Sequence, residues 1–178
     1  MRRVKEIVRI VLRFLMTPLR WCYRKRNGME VAVERKEIPN KILLGLARDM
    51  IREGHTATIS VKGYSMRPFL EHQRDRVVLD APRDLRVLDA VLAEIEPDHY
   101  VLHRIIAIEG DRITLMGDGN VSGTETCRRQ DVAGVVTQYL RPGRTIPANN
   151  TGLMRRIRLW QKLLPVRRYL LFIYKAII

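Results

Sequence analysis

A change of hydrophobic period near residue 55 constrains the fold of this 178-residue chain more than any other feature. Before it, apolar residues recur at helical spacing, in a predicted helix that Pro39 opens and Gly54 ends. After it, apolar and polar residues alternate, which predicts strands. The predicted strands are a short polar one at Glu30–Arg35, then Thr56–Val61, Arg76–Asp80, Leu85–Ile95 with a break near Asp89, Tyr100–Ile108, Arg112–Met116 and Val132–Leu140. Short strands separated by turn residues, with few helices, favour a mainly β (α+β) fold, a twisted and partly closed antiparallel β domain.

The charge of the chain lies in its terminal segments. The net charge is +14, yet residues 1–29 carry nine basic residues against one acid, and residues 141–178 carry nine against none. The centre is mildly acidic, so it is not expected to bind nucleic acid. The chain therefore divides into an N-terminal amphipathic helix and linker (1–29), a β domain (30–140), and a linker followed by C-terminal amphipathic helices (141–178).

Both terminal segments are apolar as well as basic, and neither reaches the roughly 18–20 uncharged residues that a membrane span requires. Helices of this kind lie at an anionic membrane surface, with residues such as Trp160 and Tyr169 at the boundary. The alternative is that they pack on the domain or on a second subunit. Arg9 and Arg13 interrupt the first apolar stretch, and no small-residue cleavage site follows it, so it is not expected to be a secretory signal. These features favour a peripheral protein at the cytoplasmic side of the inner membrane.

Cysteine and histidine usage argues against metal and disulfide chemistry. Two cysteines, Cys22 and Cys127, do not make a disulfide framework. The scattered His55, His72 and His99 make no metal-ligand spacing with Cys127. We expect no metal, nucleotide or other cofactor.

Ser65 is the candidate nucleophile, in the segment Val61–Pro68 that follows a predicted strand. A serine on a tight turn presents its hydroxyl to solvent, and neighbouring backbone N–H groups can bind an oxyanion. Gly63, Tyr64 and Met66 are therefore candidate oxyanion or substrate-groove residues. A turn serine is more often structural, so Ser65 alone does not establish an enzyme.

His103 and Asp118 are the candidate partners of Ser65. His103 lies within an apolar predicted strand, where alternation places it on the face opposite Arg104. A nucleophilic serine needs a base of this kind, although a lone strand histidine is more often a core residue. Asp118 lies in a glycine-rich turn and is expected to orient the imidazole, unless its carboxylate only caps the turn. Arg104 is expected to pair with an acid of the domain.

Taken in order, these segments resemble the superfamily of serine peptidases that includes type I signal peptidases and LexA-like self-cleaving repressors. The matching boxes are Gly63-x-Ser65-Met66-x-Pro68, Arg74-Asp75-x-Val77-Val78, Val101-x-His103-Arg104-Ile105, Gly117-Asp118-x-Asn120 and Gly134-x-Val136. The resemblance covers about residues 56–138 and neither terminal segment. It implies a β-rich antiparallel domain and a serine endopeptidase that cleaves a leader or signal segment from a precursor peptide or protein.

The residue type of the candidate general base resembles one branch of that superfamily. Bacterial signal peptidases and LexA-like proteins use a lysine, whereas His103 resembles the histidine of the endoplasmic-reticulum and SipW type; Lys62 does not match the lysine box. The resemblance implies that Ser65 attacks the scissile carbonyl and that His103 accepts its proton.

Two positions depart from the pattern. The acids usually found just after the Gly-Asp-x-Asn turn are missing, which leaves Asp118 as the third member, with Glu125 and Asp131 as reserves. Gly63 replaces a serine that donates to the oxyanion in some signal peptidases. A self-cleaving LexA-like regulator and a catalytically degenerate peptide-binding domain at a membrane are the alternative functions.

Overall fold

The computed structural model describes residues 40–177. The predicted N-terminal amphipathic helix and the predicted strand Glu30–Arg35 lie outside the described residues. The helices are α1 (Asn40–Arg52), α2 (Thr151–Lys162) and α3 (Arg167–Ile177), with short 3-10 turns at Arg129–Asp131 and Leu164–Val166. The strands are β1 (Ala57–Ser60), β2 (Arg76–Asp80), β3 (Ala90–Glu96), β4 (His99–Glu109), β5 (Arg112–Met116), β6 (Glu125–Arg128), β7 (Val132–Arg141) and β8 (Arg144–Pro147).

The eight strands form one antiparallel sheet. Its order is β1-β2-β7-β3-β4-β5-β6, and β8 pairs with β7. The prediction of a mainly antiparallel β domain with a few helices is confirmed at this level. Because β1 and β6 are the ends of that order, each leaves one strand edge unpaired by another strand of the described residues.

Most strands lie where alternation predicts them. β2 and β5 have the predicted bounds, and the predicted strand Leu85–Ile95 is broken, with β3 beginning at Ala90. The sequence pattern does not reveal β6 and β8, which have four residues each. β8 lies in the segment predicted as a linker and pairs with β7 from Gln138 to Arg141.

Alternation along the strands separates two apolar cores. Ala90 and Leu92 of β3 belong to the larger core, while Val91 and Ala93 belong to the smaller one. The larger core also contains seven buried apolar residues of the helices: Ala47, Ile51, Leu153, Ile157, Trp160, Leu170 and Leu171.

The C-terminal helices pack on the sheet. Leu153, Ile157 and Trp160 of α2 are almost completely buried, and the side chain of Asn150 caps the helix by accepting a hydrogen bond from Leu153 N. The apolar face of α2 therefore packs on the domain core, which is the alternative to a membrane surface that the sequence pattern left open. The basic residues Arg155, Arg158 and Lys162 remain exposed on the other side. Among residues 40–177, no helix is long and apolar enough to cross a membrane.

Candidate active site

Ser65 lies in the loop between β1 and β2, and the base of this loop is closed by backbone hydrogen bonds. Val61 N donates to Asp75 O, and Gln73 N donates to Val61 O. Phe69 and Leu70 are buried in the larger core, and the partly exposed Ser65 lies at the surface above them. Apolar anchoring within a short closed loop thus holds the serine at the protein surface without burying it.

The glycine-rich turn after β5 packs directly against the backbone of Ser65. Gly119 N donates to Ser65 O over 2.6 Å. A Cβ atom at Gly117 would lie 2.5 Å from Ser65 O, and one at Gly119 would lie 2.6 Å from Tyr64 O. These separations are too short for a side chain, so both turn glycines are required by the close approach of the two loops.

His103 and Ser65 line the same cavity, which has a volume of about 160 Å³. His103 lies on β4, where it is opposite Val91 of β3, and its side chain is largely buried. The end of β1 and the start of α1 complete the cavity wall, with Ser60, Lys62 and Leu43 among the lining residues. In the described part of the chain, no hydrogen bond links the serine hydroxyl to the imidazole, whose hydrogen-bond partner is Glu125.

Glu125, at the start of β6, is the hydrogen-bond partner of His103. Its Oε2 lies 2.9 Å from His103 Nδ1. An ionised carboxylate only accepts hydrogen bonds, so Nδ1 carries the proton, and in the neutral ring the Nε2 lone pair stays free to accept one. β6 pairs with β5 so that Glu125 lies opposite Leu115, and this register brings the carboxylate to β4.

Asp118 does not contact His103, and the expectation that it orients the imidazole is corrected. Its carboxylate accepts hydrogen bonds from Arg104 Nε, at 2.8 Å, and from Arg104 Nη2, at 2.6 Å; both side chains are completely buried. Burial alone would lower the pKa of Arg104, but the adjacent Asp118 carboxylate raises it above its ordinary value. The expected pairing of Arg104 with an acid of the domain is confirmed.

The backbone and the carboxylate of Asp118 also hold α2 in place. Trp160 Nε1 donates to Asp118 O over 2.7 Å, and Gln161 Nε2 donates to Asp118 Oδ1 over 3.2 Å. Asp118 is therefore a structural junction between β4, the turn that supports Ser65, and α2. Asp131, the other reserve acid, accepts a hydrogen bond from Arg128 N at the 3-10 turn after β6.

The three candidate oxyanion or groove residues have different surroundings. Gly63 adopts a φ of 87° and its N–H donates to His72 Nδ1 over 2.9 Å, so this N–H is already engaged. The Met66 side chain is buried in the larger core and lines the cavity that contains Ser65 and His103. Tyr64 is 57% exposed and lines a second cavity next to Ser65. The N–H groups of Ser65 and Met66 make no hydrogen bond within residues 40–177, which leaves them as the candidate oxyanion donors.

Within residues 40–177, no group of three His, Cys, Asp or Glu side chains is arranged to hold a metal ion.

Comparisons with protein-family models, with curated proteins and with solved structures found no match to this chain.

Proposed function

We propose that the protein is a serine endopeptidase that removes a leader or signal segment from a precursor peptide or protein. The observation that carries the proposal is the arrangement of three side chains: Ser65 and His103 line one cavity, and Glu125 is hydrogen-bonded to His103 Nδ1. A hydroxyl, an imidazole and a carboxylate in this relation are the parts needed to activate a serine. The proposal includes a domain of the signal-peptidase/LexA type.

In the proposed reaction, Ser65 Oγ attacks the scissile carbonyl carbon while His103 Nε2 accepts the hydroxyl proton. Collapse of the tetrahedral intermediate breaks the peptide C–N bond, and the imidazolium returns the proton to the leaving amine. Water then hydrolyses the acyl-enzyme with His103 again as base. Glu125 stabilises the imidazolium in both halves, and the N–H groups of Ser65 and Met66 are the proposed donors to the oxyanion.

The shape of the first cavity supports an extended substrate with small side chains before the cut. Ser60 and Lys62, at the end of edge strand β1, line this cavity, so a substrate segment can add a strand along β1. A volume of about 160 Å³ is close to that of a cavity that holds one benzene ring, which leaves little room for large side chains.

The experiment that tests this function is cleavage of internally quenched peptides that carry Ala-x-Ala before the cut, with products identified by mass spectrometry. We expect the wild-type protein to cut after the small residue, and Ser65→Ala and His103→Ala to show no product. Product formation by Ser65→Ala would contradict the proposal. Cleavage confined to the protein's own chain, at a rate independent of its concentration, would favour the self-cleaving alternative.

Contact with an anionic membrane surface is a second proposal, supported by the outer side of α2. Arg155, Arg158 and Lys162 are exposed and follow one another at helical spacing, and the exposed Leu164 and Val166 come directly after them. Basic residues beside apolar ones favour an anionic lipid surface. The wild type should sediment with phosphatidylglycerol vesicles. A variant with glutamate at all three basic positions should stay in the supernatant. Equal sedimentation of the two proteins would contradict this contact.

A further inference from the structure

A second and larger cavity reaches Ser65 from the side of α3. Its volume is about 610 Å³, and we call it the α3 groove. One wall is formed by Tyr64, Ser65 and the turn Gly119–Val121, and the other by outward-facing residues of α3. Ser65 is therefore the residue at which the α3 groove meets the cavity that contains His103.

Contacts near both ends of α3 fix the helix, one to the turn after β5 and one to the Ser65 loop. Near its N-terminus, the buried Arg167 donates from Nη1 to Asn120 O over 2.9 Å. Near its C-terminus, the buried Tyr174 donates its hydroxyl proton to Glu71. Because both contacts are largely shielded from water, α3 is a fixed wall of the groove and not a loosely attached helix.

The Glu71 contact extends to the residue before the serine. Glu71 also accepts a hydrogen bond from Arg67 Nη2 over 2.8 Å. The Arg67 guanidinium carbon lies 4.2 Å from the centre of the Tyr64 ring, a cation–π distance. A series of side-chain contacts therefore connects the two walls of the groove, α3 and the Ser65 loop. It runs through Tyr174, Glu71, Arg67 and Tyr64.

The lining of the α3 groove is apolar and basic. Within residues 40–177, Tyr169 is 67% exposed and Phe172 is 75% exposed, which makes an apolar patch on the outer side of α3. Arg168 and Lys175 are exposed beside them, and among residues 40–177 no Asp or Glu lines the groove. Such a surface complements a segment that has both an apolar and an acidic side chain.

We propose that the α3 groove binds the part of the substrate that follows the cut, and that it selects an apolar or aromatic side chain accompanied by an acidic one. This inference rests on the proposed function. The cavity beside β1 takes the residues before the cut, so an extended chain passing Ser65 continues into the groove. Arg168 and Lys175 are separated by roughly 10 Å along the helix, which about three extended residues span. The two basic residues therefore face a stretch of about three to four extended residues, and the acidic preference falls within that stretch.

Binding to a protein that cannot turn over substrate tests the groove separately from catalysis. We would use Ser65→Ala and fluorescein-labelled peptides with Ala-Ser-Ala before the cut and either Ala-Phe-Glu-Asp or Ala-Phe-Lys-Lys after it, measuring anisotropy. We expect the acidic peptide to bind about three- to tenfold more tightly at low salt, with the difference shrinking as salt is added.

Charge reversal on α3 should remove or invert this preference. We would compare Arg168→Glu/Lys175→Glu with Arg83→Glu/Arg112→Glu, which makes the same change in net charge at exposed positions away from the groove. The second pair should keep the preference for the acidic peptide. Phe172→Ala should weaken both peptides alike, because it removes apolar contact and no charge.

The outcomes separate the groove from the peptidase activity. No preference for the acidic peptide, or the same preference in both charge-reversed proteins, would overturn the groove proposal even if wild type cleaves peptides. The preference for the acidic peptide could be lost in Arg168→Glu/Lys175→Glu and kept in Arg83→Glu/Arg112→Glu, while the wild type cleaves no peptide. This result would support the groove and contradict the peptidase activity. A third outcome is that the two peptides bind equally and that charge reversal of Arg168 and Lys175 abolishes vesicle binding. This outcome would assign the face to a membrane and overturn the proposal.

Discussion

Glu125 Oε2 lies 2.9 Å from His103 Nδ1, so the acid next to the candidate base comes from the short strand β6 and not from the conspicuous Gly-Asp-x-Asn turn. The acid of that turn, Asp118, is completely buried and holds Arg104. The two carboxylates therefore have different environments, since the Glu125 side chain is 29% exposed and the Asp118 side chain is completely buried. Different environments predict different consequences of removing each.

Glu125→Gln should reduce kcat/KM by on the order of 100-fold or more while the melting temperature stays close to that of the wild type. The amide keeps the size of the side chain but loses the charge that stabilises the imidazolium, and its NH₂ group can favour the wrong tautomer of His103. Peptide cleavage followed by mass spectrometry measures the change. Glu53→Gln, at an exposed position after α1, is the matched control and should be fully active. Wild-type activity in Glu125→Gln would exclude Glu125 from the mechanism.

Asp118→Ala should destabilise the fold by about 3–5 kcal/mol, because it leaves the Arg104 guanidinium buried without its counter-charge. Urea denaturation measures this loss. The double variant Arg104→Met/Asp118→Leu removes both charges and should recover a large part of the stability. A stable Asp118→Ala protein whose activity falls 100-fold would instead assign Asp118 a catalytic role.

Gly119→Ala should slow acylation of Ser65, because the new Cβ would lie 2.6 Å from Tyr64 O and displace one of the two loops. We expect a loss of about 1–3 kcal/mol in unfolding free energy, together with slower labelling by a fluorophosphonate. Gly45→Ala is the control, since its Cβ meets nothing within 4 Å on α1, and it should slightly stabilise the protein. An unchanged labelling rate in Gly119→Ala would show that the turn does not position Ser65.

Burial raises the pKa of the Cys127 thiol to about 11, and the nearby Asp131 and Asp111 carboxylates act in the same direction. Between about pH 8.5 and that value only the unfolded chain loses the thiol proton, so this thiol lowers the stability of the fold as the pH rises. In a Cys22→Ser variant with ¹³C-labelled cysteine, the Cβ chemical shift should stay constant to pH 9.5 in the folded protein. In urea it should titrate near pH 8.5. A folded-state midpoint below pH 9.5 would contradict this environment.

The spacing of apolar residues along the sequence predicted those helices and strands that are long enough to show a regular pattern. Alternation located β2, β4 and β5, and helical spacing located α1. It did not show which side of α1 faces the core: Ala47 and Ile51 are buried, whereas Ile42, Leu46 and Met50 are about half exposed. Burial of that helix depends on the sheet beneath it, which the local pattern does not contain.

The candidate site was predictable in its local parts and not in its long-range contacts. Ser65 and His103 were predicted from the residues around them and from the resemblance, and both line one cavity. Glu125 begins a four-residue strand, and its proximity to His103 depends on pairing of β6 with β5. The signal that could have placed it is the hairpin itself, since a strand that follows the Gly-Asp-x-Asn turn returns along β5.

The α3 groove was missed for a related reason. The basic and apolar composition of residues 141–178 is typical of a membrane-surface helix, but Trp160 and Tyr174 make specific hydrogen bonds to Asp118 and Glu71. Composition does not distinguish these buried polar contacts from interfacial aromatic residues.

Covalent capture of Ser65 tests the central claim most directly. Wild type, Ser65→Ala and His103→Ala would be incubated with a fluorophosphonate, and the intact mass of each would be measured. We predict one adduct on the wild type, located at Ser65 by peptide mapping, and none on either variant while all three remain folded. An unmodified wild type, or equal modification of wild type and Ser65→Ala, would contradict an activated Ser65–His103 pair.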